Sequence, residues 1–271
     1  MPRRGRLDAE LVRRGLARSR EHAACLVEDG RVSVRGLPAS KAATGVDADT
    51  PVTVAEATAG PDWASRGAYK LVGALERFAP AGLRVAGRRC LDAGASTGGF
   101  TDVLLHEGAL QVVAVDVGYG QIAWRLRTDP RVTVHDRTNV RHLDPATLRG
   151  PVELTVADLS FISLRLVLPA LLACTVAGGD LVPMVKPQFE IGRERLGSGG
   201  VVRDPALREA AVLDVVSVAQ QHGAALQGVT ASPLPGPAGN VEYFLWLRLG
   251  RAAPQPGADE LVRAAVREGP Q

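Results

Sequence analysis

The sequence predicts an α/β protein, a parallel-sheet domain preceded by a small α+β unit. From residue 65 onward, apolar strand-like runs alternate with helical stretches, the pattern of a parallel sheet with crossover helices. Residues 1–59 instead carry two short helical patterns followed by short β runs. Between them, Thr58-Ala59-Gly60-Pro61-Asp62 has no periodicity and holds breaker residues. The expected division is a small domain over 1–59, a linker over 60–64, a large domain over 65–250 and a tail over 251–271. With 271 residues and 46% hydrophobic composition, each domain has enough apolar sequence for a core.

In the small domain, Arg6 to Arg14 reads as a helix with Leu7, Leu11 and Val12 on its apolar face, closed by Gly15. Ser19 is placed to cap a second helix over Glu21 to Asp29, and Gly30 stands at its C-terminal end. A strand over Arg31 to Val34, a turn through Gly36 and Pro38, and a strand over Val52 to Val54 complete the unit. In the large domain the strand candidates are Cys90 to Asp92, Val112 to Val115, Val132 to Val134, Leu154 to Ala157 and Leu181 to Val185. Gly228 to Ser232 and Glu242 to Leu249 read as a terminal hairpin, which would bring an antiparallel strand into the sheet. The tail holds a short helical pattern at Glu260 to Arg267 and no functional signal.

Charge is concentrated rather than abundant. The net charge is only +3, yet seven arginines stand against Asp8 and Glu10 in the first 20 residues. Dense arginines suit phosphate, because the guanidinium fork binds it bidentately; a solvated helix face explains them equally well. No segment approaches the roughly 20 uncharged apolar residues of a membrane span. The basic N-terminus is not followed by an apolar run, so no signal peptide is expected. Cys25, Cys90 and Cys174 are scattered, without metal or disulfide spacing, which points to a reducing cytoplasm.

The strongest motif is Leu91-Asp92-Ala93-Gly94-Ala95-Ser96-Thr97-Gly98-Gly99-Phe100-Thr101-Asp102, between an apolar strand and a helix. Its small residues allow a tight turn and close approach of a ligand. Asp116 ends the second strand, where a carboxylate can accept hydrogen bonds from ribose hydroxyls. A dinucleotide would call for Gly-x-Gly-x-x-Gly, but Ser96 stands at the second glycine. The pattern resembles the first motif of S-adenosylmethionine methyltransferases, whose cofactor carries an ammonium and a sulfonium, so a carboxylate such as Asp92 makes electrostatic sense. Asp136 and Asn139 follow the third strand, in the loop that contacts adenine in this fold: Asp136 to accept from the amine, Asn139 to orient the loop. Asp and Asn are also ordinary turn residues.

Four further polar residues fall at or beside the expected C-terminal edge of the sheet: Lys70, Asp158, Lys186 and Glu242. Charges that end apolar strands are costly unless paired or used. A ribose hydroxyl must lose its proton as it attacks a methyl group. Desolvation or a nearby cation lets a lysine take that proton, and Lys186, at a strand end with Lys70 expected nearby, has both. Asp158 and Glu242 would hold the lysines; two structural ion pairs are the simpler alternative.

Three resemblances follow from these residues. Arg6-Leu7-Asp8, Leu11-Val12, the run from Gly15 to Arg20, Ala23 and the run from Gly30 to Val34 resemble the S4 RNA-binding domain. That resemblance implies RNA contacts for Arg4, Arg6, Arg18 and Arg20. The Lys-Asp-Lys-Glu set resembles the tetrad of FtsJ-like ribose 2′-O-methyltransferases, and the two domains together resemble the TlyA family, also labelled haemolysins. It is carried further by Ser65 to Leu75, Ala157 to Phe161, Val185 to Gly192, Gly199 to Arg203 and Gly239 to Phe244. The resemblance implies a Rossmann-like class I methyltransferase domain behind a small S4 domain. It implies 2′-O-methylation of cytidines in 16S and 23S ribosomal RNA, with Gly94, Ser96, Gly98, Gly99 and Phe100 beside Asp92 at the cofactor. The linker Asp62-Trp63-Ala64 departs from the family's arginine and bulky apolar residue around that tryptophan.

Other chemistries fit less well. Amino methylation of a base calls for Asn/Asp-Pro-Pro-aromatic after the fourth strand, where this chain has Asp158-Leu159-Ser160-Phe161. C5 methylation calls for a nucleophilic cysteine, commonly after proline, and no cysteine is so placed. A membrane-acting haemolysin would need an amphipathic basic stretch with aromatic anchors. An RNA-binding protein with an inactive methyltransferase fold is the remaining alternative.

Overall fold

The computed structural model describes residues 5–17, 20–28, 30–55, 61–236, 238–250 and 257–269. The chain forms two compact units, Met1–Arg66 and Gly67–Gln271.

The first unit contains β1 (Gly5–Arg6), α1 (Leu7–Arg13), α2 (Arg20–Glu28), β2 (Val32–Val34), β3 (Leu37–Pro38), β4 (Gly45–Val46) and β5 (Val52–Val54). Strands β3, β2 and β5 form an antiparallel sheet, and β1 pairs with β4. Leu7, Leu11, Ala23, Leu26, Val27, Val32 and Val46 make its core. The helical spacing of Leu7 and Leu11 produces this, since residues four apart share a helix face. Arg4, Arg18 and Ser19 lie outside the described residues. Arg6 and Arg20 both donate to Asp8 Oδ2, at 2.9 and 3.1 Å. Asp8 is almost buried, and the hydrogen bonds from Arg6 hold its carboxyl at about 2. Thus the two arginines share an internal anchor while their side chains remain half exposed.

The second unit is a seven-stranded sheet, with order β11-β12-β10-β9-β6-β7-β8 among the described residues. Its strands are β6 (Arg89–Ala93), β7 (Gln111–Val115), β8 (Val132–His135), β9 (Val152–Ala157), β10 (Thr175–Val185), β11 (Ala224–Ala231) and β12 (Tyr243–Leu249). Neighbours from β8 to β10 are parallel. Strand β12 runs antiparallel to both β10 and β11, so the terminal hairpin does insert a reversed strand. Strand β10 starts earlier than expected: Thr175 already pairs with Val152, and the register shifts before Asp180. Gly178, at φ +79°, lies within that shift, and the glycines break the apolar run by which a strand is recognised.

The helices are α3 (Ala68–Phe78), α4 (Gly99–His106), α5 (Trp124–Arg127), α6 (Leu164–Ala173), α7 (Pro187–Glu190), α8 (Pro205–Gln221) and α9 (Ala258–Glu268). Strand alternation sorts them onto the two faces of the sheet. Tyr243, Leu245 and Leu247 share a core with residues of α6, α8 and α9. Phe244 and Trp246 point the other way, to Phe100 of α4 and Phe78 of α3. The tail is therefore partly structural, because α9 buries Val262, Ala265 and Val266.

From β6 the sheet grows to β7 and β8 on one side and to β9 and β10 on the other. This reversal opens a crevice at the strand C-termini between β6 and β9, the usual ligand site of such sheets.

Candidate active site

The glycine loop leaves β6 at Ala93 and enters α4 at Gly99. Gly94 has φ +86° and Gly98 has φ +97°, a region that favours glycine. A Cβ on Gly94 would collide with the carbonyl oxygen of Asp158 across the crevice. Gly94→Ala is expected to cost about 2–4 kcal/mol of stability, through strain and overpacking. It should also weaken cofactor binding at least tenfold; thermal melts and calorimetry would read both, and an unchanged melt would contradict the close packing.

The loop is unsuited to an anion. The Ser96 backbone N–H donates to Asp116 Oδ2 at 2.8 Å, and that of Gly118 to Asp116 Oδ1 at 2.7 Å. The donor that a pyrophosphate would need already faces a carboxylate. Asp92 is fully buried and accepts from Thr101 Oγ1 at 2.7 Å through Oδ2. Its Oδ1 is buried without a hydrogen-bond partner. Burial, reinforced by the charges of Asp158 and Asp116, pushes this carboxyl up to about 7, against the Thr101 hydrogen bonds. A glycine cradle with three carboxylates around it and a spare buried acceptor fits a cationic ligand with ribose hydroxyls, and so fits S-adenosylmethionine better than a dinucleotide.

Four expected cofactor residues also have partners or packing within the fold. Phe100 is 4% exposed and lies against Phe244, with ring centroids 6.0 Å apart. Gly99 is the buried first residue of α4. Asp136 pairs with Arg127 at 2.7 Å, a hydrogen bond that holds its carboxyl below the usual range. Asn139 accepts from Arg141 N at 3.0 Å and caps the turn Val140–His142.

The four polar residues at the sheet edge form two ion pairs. Lys70 Nζ lies 2.6 Å from Glu242 Oε2, and Lys186 Nζ lies 2.5 Å from Asp158 Oδ1. Asp158, Lys186 and Glu242 each sit one residue outside their strand. Met184 pairs with Phe244 and Val185 with Tyr243, so the next opposed positions are Lys186 and Glu242. Both lysines are under 10% exposed, Glu242 is fully buried, and its Oε1 has no partner. Gly236 makes room for that carboxylate: a Cβ there would lie 2.5 Å from Oε1. The chain has three lysines, Lys41, Lys70 and Lys186, among 32 basic residues. Two of the three are therefore buried at this edge, where an arginine would keep the charge but could not exchange a proton.

Further residues hold these groups and gave little sign in the sequence. Lys186 Nζ also donates to Ser160 Oγ at 2.9 Å. Glu190 accepts from Ser163 Oγ at 2.5 Å and from Leu164 N at 2.7 Å. Asn240 accepts from Val202 N at 2.9 Å and donates to Gly200 O at 3.0 Å, tying together two loops. Serines and asparagines are common in loops, so these are invisible without the fold; Glu190, a carboxylate among buried apolar residues four positions beyond Lys186, was the one readable clue.

A mixed sheet with a ligand crevice at its switch point, an anionic glycine cradle and adjacent buried lysine–carboxylate pairs defines a class I methyltransferase that uses S-adenosylmethionine. The chain belongs to the FtsJ-like methyltransferase family, whose sequence profile matches residues 63–249. It is 60% identical, over the full length of both chains, to a Mycobacterium tuberculosis protein named 16S/23S rRNA (cytidine-2'-O)-methyltransferase TlyA. It is 35% identical to Hemolysin A of Brachyspira hyodysenteriae, over 88% of this chain and 98% of that one. A solved structure of a Streptococcus thermophilus protein described as a hemolysin superposes with a TM-score of 0.77 at 37% identity, covering 99% of this chain and 96% of that one.

Proposed function

We propose that this chain transfers a methyl group from S-adenosylmethionine to the ribose 2′-hydroxyl of cytidine in 16S or 23S ribosomal RNA, or in both. The observation that carries the reading is the pair of buried lysine–carboxylate contacts beside the glycine cradle. Full-length identity of 60% to a cytidine-2′-O-methyltransferase supports the substrate.

In this reading Asp92, Gly94, Ser96 and Gly98 would hold the cofactor's amino acid end, Asp116 its ribose, and the Asn139-capped loop its adenine. Once bound, the cofactor supplies an electrophilic methyl group on a sulfonium that departs as a neutral thioether. Lys186 takes the hydroxyl proton as the oxygen attacks, and Asp158 stabilises the ammonium that results. Lys70, held by Glu242, adds positive charge beside the developing alkoxide. Alignment of oxygen, methyl and sulfur supplies much of the remaining acceleration.

The unit over residues 5–55 acts in this reading as an S4-like RNA-binding domain. Its Arg6 and Arg20 are half exposed and held by Asp8, so the carboxylate organises them without hiding them. The protein works in the cytoplasm, where ribosomal RNA is its partner. The haemolysin reading rests on the names of relatives; among the described residues no helix is long and apolar enough to cross a membrane.

Incubation with 30S and 50S subunits and labelled cofactor, followed by mapping of 2′-O-methyl sites, tests the proposal. The expected result is 2′-O-methylcytidine on one or both RNAs. Methyl groups on bases alone, or no transfer alongside leakage of liposomes, would replace this reading with another.

A further inference from the structure

The contact between Lys186 and Ser160 goes beyond the tetrad. Resting on the functional reading above, we propose that Ser160 is a positioning residue that aims the Lys186 amine at the substrate hydroxyl.

A neutral lysine amine has two N–H bonds and one lone pair, and only the lone pair can receive the proton. Its direction is fixed when both N–H bonds have acceptors. Lys186 Nζ has two: Asp158 Oδ1 at 2.5 Å and Ser160 Oγ at 2.9 Å. Asp158 alone would leave the amine free to rotate about one contact. With both contacts, the lone pair takes the remaining tetrahedral direction, and no internal partner competes for it in the contacts described.

Ser160 is exposed, but the segment that carries it is tied at both ends. Its segment begins at Asp158, whose N–H donates to Ala93 O at 3.0 Å in the neighbouring strand. It ends at Ser163, which caps α6 and donates to Glu190. Glu190 follows Lys186 on the opposing segment and also accepts from Leu164 N. Between these ties the rings of Phe161 and Phe189 lie 5.3 Å apart. The two segments thus resemble a ladder with three rungs: Lys186 on Asp158 and Ser160, Phe189 on Phe161, and Glu190 on Ser163. The lower rungs fix the distance across which Ser160 meets Lys186.

In the step served, the substrate O–H bond breaks and its proton passes to the Lys186 lone pair. The oxygen's electrons form the new O–CH3 bond, and the S–CH3 electrons remain on sulfur.

The test compares wild type, Ser160→Ala and Ser160→Thr on ribosomal subunits, with two readouts. Ser160→Ala should lower kcat about tenfold, a part of what a general base contributes. KM for RNA and Kd for cofactor should hold, and Ser160→Thr, which keeps the hydroxyl, should recover most of the rate. Because the chain has three lysines, a lysine-selective 15N label gives three Nζ signals. That of Lys186 should shift in the alanine variant and return in the threonine variant. An unchanged kcat, a loss confined to KM, or an unmoved Lys186 signal would each overturn the proposal while an active wild type leaves the functional reading intact. A wild type that methylates no ribose hydroxyl would overturn both.

Discussion

Lys186→Arg is expected to lower kcat for methyl transfer by about 10²–10⁴-fold, with little change in cofactor affinity. The substitution keeps the positive charge that Asp158 binds at 2.5 Å, so the ion pair and its fold contribution largely persist. It removes the proton acceptor, because a guanidinium stays protonated at any working pH. The loss corresponds to about 3–5 kcal/mol of barrier. The same change at Lys70 should cost less, since the role proposed for that lysine is charge rather than proton transfer. Single-turnover rates with labelled cofactor separate these cases. If Lys186→Arg kept the wild-type rate, Lys186 would be an electrostatic anchor, and the base would have to be sought elsewhere.

Cofactor affinity should fall as pH drops below about 7, by up to tenfold per unit, and Asp92→Asn should abolish that dependence. Burial pushes the Asp92 carboxyl up from 3.8 to about 7. Only the ionised form attracts a cationic ligand, so acid competes with binding. Stability of the free protein runs the other way. The folded chain holds this proton more tightly than the unfolded chain, whose carboxyl releases it near 4. Folding stability therefore declines as pH rises from about 4 to about 7, and the penalty is complete above 7. Its size is on the order of 4 kcal/mol. Asp92→Asn should thus raise the Tm of the free protein at pH 8 while lowering cofactor affinity. Calorimetric titrations and melts between pH 5 and 8 check both, and a pH-independent affinity in the wild type would show that Asp92 does not face the cationic part of the ligand.

Much of this was legible in the residues. Strands rich in valine, such as β7, appeared where apolar runs predict them, because side-chain character and strand propensity agree there. The four edge residues stood out for a related reason: a charge at the end of an apolar run is costly, so it must be paired or used, and here the four form two ion pairs. Pairing was not legible in the same way. That Lys70 meets Glu242 and Lys186 meets Asp158 depends on the register of β9, β10 and β12. The packing of Phe100 on Phe244 was not legible, because its position in the motif and its burial belong to different levels of organisation. Ser160, Ser163 and Asn240 left no trace, since a hydroxyl or amide gains meaning only from the atom it meets.

The contact between Lys70 and Glu242 spans 172 positions of chain. Its carboxylate arrives with the turn into β12, which must slot between β10 and β11. All five strands from β6 to β10 precede it in the chain. A chain cut before Glu242 would therefore keep the glycine loop and the Lys186–Asp158 pair but leave Lys70 without its carboxylate.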